Sequence, residues 1–335
     1  MRTRWVIIAA CAALVACPGP APVADAGPKL DWTVAFDATS TGWLLDSWGT
    51  STSNVYMVGG SLAQAVVMRF DGAQWAPVSL GVAAPLANWC HGFGPDDVTI
   101  VGNGGTVLHW DGKAWTKQPT PTTQDLWGVW GAAPNDLWSV GGDGLADGHA
   151  TLLHYDGVAW AQQALPPMQK ANVWQLLKVW GTGADNVYVV GQRGVVLHKK
   201  GAQWAEELVG ASDDLVSLWG TGPDRIVAVG GRANGIASVW DGMAWHTTAL
   251  APLPGLNGIW MRTPTTAHVA GAYGTLGVLD LKTMTVRQVD PFTKLDFHSV
   301  FGVGGRLFAV GGNLASANPS SFQGLAYTRL LASDE

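Results

Sequence analysis

Few residues in this chain have types and spacings that could do chemistry. Asp46, His91 and Lys178 are titratable groups set among small and apolar neighbours at similar points of a recurring pattern, so they could meet as an internal ion-pair cluster or line a polar site. Asp143 and Asp147, with His149 two residues on, give a faint metal signal, but calcium sites need more oxygen ligands than this segment carries. Two of Asp46, Asp143 and Asp147 in one pocket would supply the carboxylate pair of a glycan-cleaving hydrolase or lyase. A sialidase-like centre would need three converging arginines, whereas Arg69, Arg193, Arg225, Arg232, Arg262, Arg287, Arg306 and Arg329 fall on different turns and outer strands. HExxH, CxxC and GxSxG are absent, and no metal or cofactor is expected. The 19 tryptophans could stack on sugars, but only if their rings are free of packing duties.

The elements that must position these groups repeat. Val98–Trp115 reads VTIVGNGGTVLHWDGKAW: two short β-branched runs, Val98–Val101 and Thr106–Trp110, each followed by a glycine turn, then a third run opening at Trp115. Another apolar run, Trp89–Phe93, precedes them, so the unit is four short strands, a to d. An aromatic followed by glycine marks the end of strand a at Trp48-Gly49, Phe93-Gly94, Trp130-Gly131, Trp180-Gly181, Trp219-Gly220 and Phe301-Gly302, with Trp260-Met261 the variant. These seven marks are 37 to 50 residues apart, the period of four-stranded propeller blades. Strand c runs into Asp-Gly at Asp71, Asp111, Asp156 and Asp241, a hairpin signal, and a tryptophan opens strand d at Trp75, Trp115, Trp160, Trp204 and Trp245.

The final repeat, from Phe301, has strands a, b and c but no d. The missing strand is found at the other end, where Lys29–Val34 (KLDWTV) places Trp32 in the strand-d tryptophan column. The expectation is an all-β, seven-bladed propeller over 29–335 whose N-terminal strand completes the last blade and so removes the free edges of the ring. An open β-solenoid gives no reason for that complementarity.

Ahead of the repeats, Arg2 and Arg4 precede an apolar run from Trp5 to Val15, as in a secretory signal covering 1–16. The run ends in Leu14-Val15-Ala16-Cys17, which resembles a bacterial lipobox with Cys17 as the lipidated residue. Residues 17–28 then read as a proline- and alanine-rich tether; the stretch Pro18–Pro28 would reach about 30 Å at ~3.1 Å per residue. Loss of the leader takes the formal charge from −6 to −8, since it removes Arg2 and Arg4. With no lysine or arginine cluster, nucleic acid is excluded as a partner. Cys90 is then the one cysteine of the repeats, so it can form no intramolecular disulfide and is expected as a small buried side chain.

With these marks in place, the chain resembles seven-bladed propellers built from Asp-box (BNR-like) or kelch-like repeats, and in particular the WG…VG…DG..W repeats of secreted bacterial propeller lipoproteins. It departs from the full Asp-box in having aspartate and glycine adjacent, as in Asp111-Gly112. The resemblance implies that these aspartates stabilise outer turns. With Cys17 as the lipid site and Pro18 rather than an inner-membrane-retaining aspartate after it, the expected address is the outer membrane, on its periplasmic or surface side, with the lipid as the only membrane contact. A monomer whose partner is a protein or a glycan is expected. The fold by itself licenses no activity.

In a four-stranded blade the b–c loops and the d-to-a crossovers share one face. Here that face varies in length, at 142–150, 165–175, 232–235 and 313–324, whereas the opposite turns are stereotyped. Variation of this kind collects where binding does. The candidate contacts on it are Trp43, Trp89, Trp127, Trp174, Asp143, Asp147, His149, Arg193, Arg232, Asn234 and Tyr273. Asp46, His91 and Lys178, two positions before the strand-a aromatic, are expected to line the central channel.

Overall fold

The structure, a computed structural model, describes residues 31–143, 149–289, 292–316 and 321–332; Cys17, the tether and Asp147 lie outside them. Seven four-stranded antiparallel sheets follow one another round a ring. Blade one comprises Trp43–Ser51, Asn54–Ser61, Gln64–Phe70 and Trp75–Pro77. The innermost strands of the other six are Ala87–Gly94, Leu126–Ala133, Leu176–Gly183, Leu215–Gly222, Leu256–Thr263 and Asp296–Val303. The last blade is completed from the other end of the chain: Thr33 lies opposite Thr328 and Val34 opposite Tyr327. Ala35 N donates to Ala326 O at 2.9 Å, extending the seam, and Trp32 packs into the core between the last two blades.

Each sheet is covered on both faces by its neighbours, so strand b reads as a continuous buried run rather than an alternating one; Val55, Tyr56, Met57 and Val58 are all buried. The aromatic-glycine mark is an inter-blade joint. The ring of Trp48 lies on Gly92 of the next blade, Trp130 on Gly181 and Trp260 on Gly302, each so close that a Cβ on the glycine would stand 2.6–2.8 Å from the indole. Glycine follows the aromatic because the preceding blade's ring occupies the space a side chain would need. Blade six has Met261 there, and Trp219 of blade five instead meets Phe301, two blades on, with ring centroids 6.4 Å apart.

Blade two corrects the expected alignment. His91, not Phe93, pairs across from Thr99 as Trp130 pairs with Trp138, so His91-Gly92 fills the aromatic-glycine position and Trp89 fills the channel position beside Asp46 and Lys178. Phe93-Gly94 ends the strand two residues further on, and the Phe93 ring lies against Gly131 of blade three, where a Cβ would stand 2.8 Å from its Cζ. The ring of His91 lies between Trp48 and Trp130, at 6.2 and 6.3 Å.

On the stereotyped face, the turn aspartates are structural. Asp71 Oδ1 accepts from Ala73 N and Gln74 N, both at 2.8 Å, and Asp111, Asp156, Asp241 and Asp280 repeat the arrangement. The following glycine supplies a positive φ in four of these turns, 101° at Gly72. The strand-d tryptophans are packing residues. Trp115 and Trp160 are buried, and Trp160 Nε1 donates to Gln118 Oε1 of the preceding blade at 2.7 Å.

Candidate functional site

Every strand a carries a bulge three residues before its aromatic position, seen as a register shift such as that between Leu126 and Gly128. A bulge re-aims the extra residue. Here it creates a column of Leu45, Asn88, Trp127, Leu177, Val216, Asn257 and His298 on the variable face, and five of its members, Trp127 to His298, line a cavity of about 430 Å³ at the mouth of the ring. Arg232, Tyr273, Asp296, Gln175 and the blade-seven loop residues Leu314 and Ala315 complete the wall.

Hydrogen bonds between blades set the polar part of this mouth. Asn257 Nδ2 donates to Phe297 O at 2.9 Å, and Asn88 Nδ2 to Leu126 O at 3.0 Å. His298 Nδ1 pairs with Leu45 O at 2.7 Å. Burial, reinforced by the charge of Lys178, pushes His298 down to about 3, so its imidazole is neutral and Nε2 is left as an acceptor. Asp296 Oδ1 accepts from Tyr273 N at 2.9 Å, fixing the left-handed turn at φ 54°. Asp214 does the same for Arg193 N at 2.8 Å, and its other oxygen takes Arg232 Nε at 2.7 Å. The Arg232 guanidinium is therefore held by one edge at the rim of the mouth.

Directly beneath, the next residues of the same strands enclose a chamber of about 80 Å³ lined by Asp46, Trp89, His91, Lys178, Ser217 and Ser299, with Trp48, Trp130, Trp180, Trp219 and Phe301 towards the opposite face. Asp46 is 1 % exposed; Ser299 Oγ donates to its Oδ1 at 2.9 Å and Cys90 N to its Oδ2 at 3.0 Å. Lys178 is 3 % exposed, with Nζ 3.0 Å from the centroid of the Trp89 ring and 3.3 Å from Trp127 O. No carboxylate lies within ion-pair distance of it among the described residues. The expected ion-pair cluster is thus two opposite charges facing one chamber without touching. Burial moves both towards their neutral forms, Asp46 up and Lys178 down, each to about 7, and their mutual attraction opposes the shift. Burial also lowers His91 to about 4.

Of the sequence candidates, the mouth brings together Trp127, Arg232 and Tyr273. Trp89 lines the chamber rather than the rim. Trp43 is committed to blade seven, its Nε1 donating to Asn313 Oδ1 at 2.7 Å and its ring edge-on to Phe322 at 4.6 Å. Trp127 likewise spends its indole N–H on Gly142 O, at 2.9 Å. Trp174 is half-buried, its backbone N bonded to Gln192 Oε1 at 3.0 Å. Asp143, His149, Arg193 and Asn234 are exposed and line neither cavity. Asp46 and Asp143 therefore share no pocket, and no group of three metal-ligating side chains occurs among the described residues. Sequence reasoning missed Asn257, Asp296 and His298. A signal existed for Asn257 and His298, since the position three before the aromatic varies in chemistry from blade to blade, as does the channel position beside it.

No family model and no curated relative matches this chain. Solved structures share its fold. YCF48 bound to D1 peptide aligns with a TM-score of 0.64 at 18% identity, over 91% of this chain and 99% of that one. YCF48 from Cyanidioschyzon merolae gives 0.65 at 13% identity, over 90% and 98%. The WD40 propeller domain of Doa1 gives 0.68 at 8% identity, over 90% and 97%. The chain is a seven-bladed propeller of the same architecture.

Proposed function

We propose that this protein is a non-enzymatic binding or scaffold propeller, tethered to the bacterial outer membrane through Cys17, that takes a segment of a partner protein into the mouth on its b–c/d–a face. The single observation that carries this reading is the composition of the mouth. Apolar Leu177, Val216, Leu314 and Ala315 lie beside a neutral imidazole acceptor, the Asp296 carboxylate and a guanidinium oriented by Asp214. That alternation of donors, acceptors and apolar surface suits an extended peptide, which offers the same sequence of groups. A glycan would call for open aromatic faces. Trp127 is half-buried with its N–H engaged, and only Tyr273, 65 % exposed, offers a ring freely. YCF48, a propeller of like architecture, has been observed with a peptide bound, which supports the reading at the level of the fold.

The test is a parallel screen of the full-length protein on peptide and glycan arrays, repeated with Arg232→Ala and Tyr273→Ala. Peptide hits weakened at least tenfold by either substitution are expected. Hits confined to glycans, or peptide hits indifferent to both substitutions, would sink the proposal. Of the carboxylate pairs that a glycan-cleaving enzyme could use, Asp46 lines the chamber and Asp143 does not, while Asp147 lies outside the described residues.

A further inference from the structure

We infer that the chamber beneath the mouth is a second binding site, for a small hydroxycarboxylate whose carboxylate is received by Lys178 and whose hydroxyl is received by His91. The inference is independent of what the mouth binds. Lys178 is the only cation lining the chamber among the described residues, and its ammonium has three donors for one long hydrogen bond and one aromatic face. A buried cation with no contacting counter-ion is costly, and an incoming anion offsets that cost. Asp46 does not provide the contact: Ser299 and the Cys90 backbone hold its carboxylate on the blade-one wall, out of ion-pair reach of the ammonium. His91 is bonded to the backbone of Gly131, while its Nε2 is buried without a hydrogen-bond partner. A hydroxyl, being both donor and acceptor, satisfies that nitrogen in either tautomer. A chamber of about 80 Å³ holds roughly five water-sized atoms, which limits the ligand to the size of glycolate.

The groups facing Lys178 are Asp46, Cys90 and His91 in the chamber and His298 above it. Two carboxylates and one ammonium would leave the chamber negatively charged, so binding selects the state with Asp46 protonated and Lys178 charged. Binding therefore takes up a proton near neutral pH and weakens as pH rises.

The chamber's tryptophans provide the readout. Sodium glycolate, sodium acetate and neutral acetamide are titrated into the full-length protein at pH 6 and pH 8 while tryptophan fluorescence is followed. We expect a saturable response to glycolate, a weaker one to acetate and none to acetamide, with affinity falling about tenfold or more across the two pH units. Lys178→Met should fold and lose the response. The inference is overturned if acetamide matches acetate, if acetate matches glycolate, if no saturable response occurs, or if folded Lys178→Met responds like the parent protein. The first three outcomes need no variant, and none of them bears on the array result for the mouth.

Discussion

The indole of Trp180 lies against Gly220 of the next blade so closely that a Cβ on that glycine would stand 2.6 Å from the Cη2 atom. Gly222, two residues further along the same strand, has nothing within 4 Å of the corresponding point and does not adopt a positive φ. Gly220→Ala should therefore destabilise the propeller by about 1–3 kcal/mol through overpacking, and Gly222→Ala should change it by less than about 0.5 kcal/mol. Urea unfolding of both variants checks the contrast; equal midpoints would show that the aromatic-glycine mark is not a steric joint.

The Asp46 and Lys178 shifts give stability an unusual pH dependence. Asp46 has a folded value raised from 3.8 to about 7, so the unfolded chain loses that proton first and stability falls as pH rises from about 4 to about 7. Lys178 is lowered from 10.5 to about 7, so the unfolded chain holds its proton longer and stability rises again from about 7 towards 10. The pair contributes a minimum near neutrality. Asp46→Asn should remove the fall on the acid side of that minimum and extend the alkaline rise to lower pH, because the carboxylate's attraction no longer supports the ammonium. Melting temperatures measured from pH 5 to pH 10 for the parent protein, Asp46→Asn and Lys178→Met test this; three parallel curves would refute it.

Tryptophans of the blade columns and of the mouth should separate by experiment. Trp115 is 5 % exposed within the cluster between blades one and two, so Trp115→Ala should cost roughly 3–5 kcal/mol. Trp127 is half-buried at the mouth, and Trp127→Ala should cost less stability while weakening a mouth ligand by about 1–3 kcal/mol. Thermal unfolding of the two variants decides the first part. If Trp127→Ala unfolds as early as Trp115→Ala, that ring serves packing and not recognition.

Closure predicts that deleting residues 29–37 exposes the outer edge of Gly324–Leu330 and leads to aggregation or a lowered melting temperature, whereas deleting 18–28 does neither. Comparable melting and light scattering for the two deletions would contradict the role of Thr33–Val34.

The anchor is tested by metabolic lipid labelling and membrane fractionation. Cys17→Ala should abolish labelling and release the protein from the outer-membrane fraction; continued labelling would remove the lipoprotein assignment.

The ring was legible because its joints are chemical: a tryptophan that needs a glycine opposite, and an aspartate that needs two turn amides, recur at a fixed period whatever lies between them. Blade two misled for the same reason. The register position of the mark belongs to His91 and Gly92, as the pairing of His91 with Thr99 shows, while the ring that fills the slot at Gly131 of the next blade is that of Phe93. The mouth was legible as a face but not as a set of residues. Loop length identified Arg232, and placement on the b–c face identified Tyr273, whereas Asn257 and His298 reach the mouth through a bulge, a feature of backbone register. Nor could spacing show that Trp43 would turn outward to Asn313.

Met261 breaks the sequence of joints at one place, and Trp219 answers by meeting Phe301. A ring of interchangeable units has many near-equivalent ways to assemble wrongly, each blade able to dock on another's neighbour, and repeat proteins misfold by this route. A joint built differently from the rest makes the units less interchangeable at that place, because a blade with methionine at this position offers no glycine slot to the tryptophan of the blade before it, and the tryptophan there finds its aromatic neighbour in blade seven.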